Sequence, residues 1–176
     1  MKYLIPRAFI IFLSISIVAC TEPKDPNLDK TGHNILEEKE IADDIDLENL
    51  KYHDLLYVPI YSDIYIGTSN QNELLAATLS IRNTSLTDSL IVSKIDYYNT
   101  DGHLTKQFLE HPIAVGKMGT VNYVIEREDT SGGAGANFIV ELSSKSSKVR
   151  PVVQAIMVRN KNNRSFSFMT EAYSIK

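Results

Sequence analysis

The sequence predicts an all-β fold, an immunoglobulin-like β-sandwich of about seven to eight antiparallel strands over residues 55–176 of the 176-residue chain. Three observations predict it. Val, Ile, Tyr, Phe and Thr come in short runs separated by turn residues, the texture of a sandwich. Apolar and polar residues alternate with period 2 in several of these runs, which puts one face on a core and the other in water. After Leu55 no segment carries a strong helical spacing.

In chain order, the expected strands are residues 56–61, 74–82, 89–98, 104–109, 120–126, 137–143, 152–159 and 165–174. Their turns fall at Asn83-Thr84-Ser85, Asp101-Gly102, His111-Pro112, 116–119, 130–135 and 161–164. In the second strand Leu75, Ala77, Leu79 and Ile81 share one face, with Thr78, Ser80 and Arg82 on the other. Ile91, Ile95 and Tyr97 line one side of the third. Val121, Tyr123 and Ile125, then Phe138, Val140 and Leu142, repeat the scheme, and Phe166 and Phe168 complete the core from the last strand. At about 1.5–3 kcal/mol per buried large apolar side chain, such a core supports a domain of this size without a disulfide. The stretch LSIRNTSLTDSLIVSKIDYYNTDGHL (79–104) resembles the edge of immunoglobulin-like accessory modules in bacterial surface proteins. An eight-stranded barrel or a jelly roll is the competing architecture.

The N-terminal third has a different texture. Lys2 and Arg7 precede an eleven-residue apolar run, AFIIFLSISIV (8–18), long enough for a signal peptide and too short to span a bilayer core of about 30 Å. Ile17-Val18-Ala19-Cys20 follows and resembles the bacterial lipobox. That likeness implies cleavage after Ala19, leaving residues 1–19 as a lipoprotein signal peptide and Cys20 as the lipid-bearing N-terminus. Cys20 is the single cysteine, so a disulfide within the chain is impossible. Two or three acyl chains anchor stably where one binds marginally. Thr21, not Asp, follows the cysteine. By resemblance to diderm lipoproteins this implies the periplasmic face of the outer membrane.

Residues 20–54 read as an acidic flexible tether with a possible short helix. From Thr21 to Asp54 there are eleven acidic and four basic residues, whereas the signs nearly cancel from Leu55 onward. As a coil of about 35 residues it would hold the domain roughly 30–35 Å from the membrane.

Composition narrows the function classes. With 43% hydrophobic and 23% charged residues the chain is globular, and at net charge −4 without clustered Lys or Arg it is unsuited to nucleic acid. The most informative stretch is Glu126, Arg127, Glu128, Asp129, Thr130, Ser131, Gly132, Gly133, Ala134, Gly135, Ala136, Asn137. Its three glycines permit positive φ, and consecutive N–H groups there can cradle an anion. It is no P-loop, since no Lys-Ser or Lys-Thr follows. Glu126, Glu128 and Asp129 with loop carbonyls offer oxygen ligands to Ca²⁺, though without EF-hand spacing. The plainer reading is a structured loop in which Asp129 or Thr130 bonds its own backbone.

Tyr57, Tyr61, Tyr65, Tyr97 and Tyr98 form a candidate aromatic surface for sugars or proteins, or simply sandwich edges. His33, His53, His103 and His111 lack metal-ligand spacing, so no metal site is expected. There is no G-x-S-x-G motif.

A resemblance extends over about two thirds of the chain. Tyr57-Val58-Pro59-Ile60-Tyr61-Ser62, Ala77-Thr78-Leu79-Ser80-Ile81-Arg82-Asn83-Thr84, Tyr97-Tyr98-Asn99-Thr100-Asp101-Gly102 and EDTSGGAGANFIVEL (128–142) are similar to a family of small exported bacterial proteins, domain of unknown function 3124. The likeness implies one exported domain and no particular activity. The sequence therefore leads us to expect a lipid-anchored, non-catalytic binding or assembly module without a cofactor. Its expected partner is an envelope protein, met through residues 130–135 or a sheet edge. A carbohydrate- or ion-binding module using the same loop and the tyrosines is the alternative, and an enzyme is a further one. A long unpaired edge strand would favour protein pairing, a flat aromatic face sugar binding, and a buried carboxylate in a deep pocket catalysis.

Overall fold

The computed structural model describes residues 49–67, 72–161 and 164–176; the signal peptide, Cys20 and nearly all of the expected tether lie outside them. Strand residues dominate, in twelve segments: β1 (Tyr52–Pro59), β2 (Asp63–Tyr65), β3 (Asn72–Leu74), β4 (Ala76–Arg82), β5 (Leu90–Tyr98), β6 (Leu104–Gln107), β7 (Ile113–Val115), β8 (Thr120–Ile125), β9 (Asn137–Ser144), β10 (Val152–Lys161), β11 (Arg164–Glu171) and β12 (Tyr173–Ser174). Among the described residues the expected count of seven to eight is corrected to twelve. Two expected strands are each split, at Leu75 and at Ala172, and β2 and β7 are three-residue strands too short to show period 2.

All pairings are antiparallel and form open sheets. One sheet runs β12-β1-β9-β5-β6, with β7 beside β6 on the same edge of β5; the second runs β11-β10-β4-β8; β2 and β3 make a separate ribbon. Pairing is mostly non-local. Pairs β4–β10 and β5–β9 are nested about β8, so the chain crosses between sheets instead of meandering. The two sheets share a single core, with Leu56, Val58, Val92, Ile95, Tyr97, Phe138, Val140 and Leu142 from the first and Ala77, Leu79, Ile81, Val121, Ile125, Val153, Ala155 and Met157 from the second. Phe108, from the loop after β6, spans both. Its ring meets Phe138 of one sheet at 5.9 Å and Tyr123 of the other at 5.3 Å, both edge-on.

Two local features explain how the chain turns. The register of β5 against β9 shifts between Val92 and Lys94, so an extra residue enters there and the alternation changes phase. Val92, opposite Leu142, therefore shares the core face with Ile95 and Tyr97; Ile91, expected there, pairs with Ser143 on the other face. At the end of β4, Asn83 is 2% exposed. Its amide Nδ2 donates to the carbonyls of Asp88 (2.8 Å), Val115 (3.0 Å) and Gly116 (3.0 Å), and its Oδ1 accepts from Ser85 N at 2.9 Å. One side chain thus satisfies backbone groups from two separate turns.

Candidate functional site

The loop between β8 and β9 carries the expected site residues 128–137. It is held against the end of β5 and the segment after β1 by backbone and hydroxyl groups. Gly133 N donates to Ser62 Oγ at 2.6 Å, and Ser62 N donates to Gly133 O at 3.2 Å. Thr100 N and Thr100 Oγ1 both donate to Gly132 O, at 2.8 and 3.0 Å, while Gly135 N donates to Thr100 Oγ1 at 3.0 Å. Ile60 N closes the far end by donating to Ala136 O at 2.9 Å.

The glycines are there for closeness. A Cβ on Gly132 would lie 1.8 Å from the Tyr97 hydroxyl, and one on Gly133, at φ +88°, would lie 2.5 Å from Thr100 Oγ1. The amides of Gly133 and Gly135, which an anion would need, are thus engaged with Ser62 and Thr100. The acidic end of the loop is local as well. Asp129 Oδ1 accepts from Ser131 N at 2.9 Å and Ser131 Oγ at 2.6 Å, an Asx turn. Glu128 faces solvent in a salt bridge to Arg127 (3.0 Å), which holds its carboxyl below the usual carboxylate range. Thr130 is exposed, and Asn137 sits in β9 between Pro59 and Tyr98. Among the described residues, no three His, Cys, Asp or Glu side chains gather at a point.

Beneath the loop lies Tyr97, fully buried and 5.4 Å from Phe138, so it belongs to the core and is not part of an aromatic surface. Burial pushes its pKa up. The Ser62 and Ser131 hydroxyls lie close enough to oppose that rise, yet neither meets the phenol oxygen in hydrogen-bonding geometry. The other expected tyrosines are dispersed. Tyr57 and Tyr98 are half-buried on β1 and β5, Tyr65 is 67% exposed on the ribbon, and Tyr61 packs edge-on to Phe168 at 5.6 Å.

Two further features lie away from the loop. The first is a cleft of about 240 Å³ between the sheets, lined by Tyr52, Asp54 and Leu56 of β1, Gln154 of β10, Glu171 and Ala172. Tyr52 and Asp54 precede Leu55, in the part of the sequence assigned to the tether. Their signal was phase, since they continue the alternation of Leu56 and Val58. The second feature is the edge formed by β11, which among the described residues pairs only with β10. Phe166 (40%) and Met169 (52%) are exposed along it. Beside Met169, on the outer face, Ile156 of β10 is its cross-strand partner, with Val158 next in phase.

A family model described as a protein of unknown function, DUF3124, matches residues 43–175. No curated protein matches the chain. Among solved structures, the crystal structure of Thermotoga maritima 1070 is similar at 16% identity and a TM-score of 0.38, over 68% of this chain and 92% of that one.

Proposed function

The chain belongs to the DUF3124 family, and we propose that it is a non-catalytic binding module of the cell envelope, held to a membrane by lipid on Cys20 and meeting a protein partner along β11. One observation carries the partner reading. β11 is an eight-residue edge strand, RSFSFMTE, with neither proline nor charge between its first and last residues. Natural edge strands are usually blunted by Lys, Pro or bulges, and an open one is a template for strand addition. Here the exposed side chains of Phe166 and Met169 would give such pairing its specificity, with Ile156 and Val158 supplying apolar area alongside. The loop at 130–135 is the weaker candidate, because its amides and carbonyls bond within the domain.

Location rests on the lipobox Ile17-Val18-Ala19-Cys20 and on Thr21, which favour the periplasmic face of the outer membrane. The immunoglobulin-like reading is retained for the two-sheet layering alone. In an immunoglobulin domain the first two strands neighbour one another, whereas here β1 and β4 lie in different sheets.

Photo-crosslinking residues placed at Phe166, Ser167 and Met169 of the lipidated protein, in its own envelope, test the proposal. The expected result is one crosslinked protein from β11, absent from control positions Lys106 and Glu126 and lost in Ser167→Pro. Equal crosslinking from the controls would overturn it.

A further inference from the structure

We propose that the cleft between β1 and β10 is a binding site for a small hydroxyl-rich ligand of monosaccharide size. The inward face of β1 reads Tyr52, Asp54, Leu56, Val58, and only the last two are buried in the core. A carboxylate in inward phase is uncommon, since charged side chains are rarely enclosed without partners. Here the sheets part instead of closing. The space left is about 240 Å³.

The lining is built rather than incidental. Asp54 is held from two sides: Ser174 Oγ donates to its Oδ1 at 2.6 Å and Tyr52 Oη to its Oδ2 at 3.3 Å. Each carboxylate oxygen keeps a further lone pair for a ligand hydroxyl. Burial, and then the Asp54 charge, push the Tyr52 pKa up to about 12, so its hydroxyl remains a neutral donor and acceptor at ordinary pH. Leu56, Val153 and Ala172 contribute apolar surface.

This combination of acceptors, one aromatic ring and an apolar floor complements a sugar, which offers hydroxyl donors at its rim and C–H groups on its faces. The cleft adjoins Glu171 at the end of β11 but does not depend on the exposed Phe166 and Met169 proposed to meet the protein partner.

Titration of the ¹⁵N-labelled full-length protein with glucose, galactose and N-acetylglucosamine tests the inference. At least one sugar is expected to produce saturable amide shifts confined to residues 52–56, 152–154 and 171–172, with a midpoint on the order of millimolar. Asp54→Asn and Tyr52→Phe should each weaken that binding about tenfold. Tyr52→Phe keeps the ring and its packing on the core, so it carries the test even if the Asp54 variant folds poorly. Absence of saturable shifts from all three sugars, or affinity unchanged in both variants, would overturn the proposal.

Discussion

Replacing Gly132 by Ala measures how firmly the glycine loop is part of the fold. The new methyl would fall 1.8 Å from the Tyr97 hydroxyl oxygen, 2.8 Å from the ring carbon bearing it and 3.0 Å from the Ala136 methyl. None of these can withdraw freely. Tyr97 is fully buried against Phe138, and the loop backbone is fixed by its bonds to Ser62, Thr100 and Ile60. Overpacking a closed site costs about 1–3 kcal/mol, and giving up one loop hydrogen bond adds about 1. We expect Gly132→Ala to destabilise by about 3 kcal/mol, or roughly 10 °C in Tm for a domain of this size.

Tyr97→Phe removes a hydroxyl that has no hydrogen-bond partner, so alone it should change stability by less than about 1 kcal/mol. In that background the methyl meets only carbon, and Gly132→Ala should cost about 1–2 kcal/mol less. Urea unfolding of the four proteins, followed by circular dichroism, gives the coupling directly. A cycle in which the two substitutions are additive within about 0.3 kcal/mol would refute the close-packing argument.

Asn83→Asp takes the amide donor from the carbonyls of Asp88, Val115 and Gly116 and sets a carboxylate against them, so a loss of about 3–5 kcal/mol is expected in the same unfolding assay. Arg159→Met leaves Glu73 without its 2.9 Å ion-pair partner, both side chains being less than a fifth exposed; amide exchange across Asp63–Tyr65 should speed up while that of β9 stays unchanged. Burial raises the pKa of Tyr123 and Tyr52 to about 12 and also lifts that of Tyr97. Against about 10 in the unfolded chain, their contribution is complete below about pH 10 and is lost as pH rises through 12; the urea midpoint should fall across that window, and a flat profile would contradict it. Cys20→Ser should abolish palmitate incorporation and release the protein from the membrane fraction, a prediction that unchanged membrane fractionation would contradict.

The core was legible along most strands of unbroken alternation, though Phe166, expected in it, is exposed. Leu75, Ala77, Leu79 and Ile81 are all fully buried, as the period-2 reading requires, and so are Phe138, Val140 and Leu142. It failed at β5, where a bulge at Ser93 resets the phase just after an apolar run, LIV, that shows no alternation of its own. The strands β2 and β7 escaped because three residues cannot establish a period. The glycine loop was visible as a loop, but its meaning was not. Whether Gly133 N faces an anion or Ser62 depends on residues 71 positions apart in the chain. Tyr97 was grouped with surface tyrosines because a tyrosine at a strand end reads alike whether or not a distant loop folds over it. Tyr52 and Asp54 were set aside for the opposite reason: their acidic surroundings masked two positions in phase with the core.

Amide hydrogen exchange of the lipidated protein, alone and bound to the partner captured through β11, tests the proposed mode of binding most directly. Strand addition predicts new protection at alternate amides between Ser165 and Thr170, where the outer edge of β11 gains hydrogen-bond acceptors. Protection confined to Thr130, Ser131 and Gly132–Gly135, with β11 exchanging as in the free protein, would contradict it.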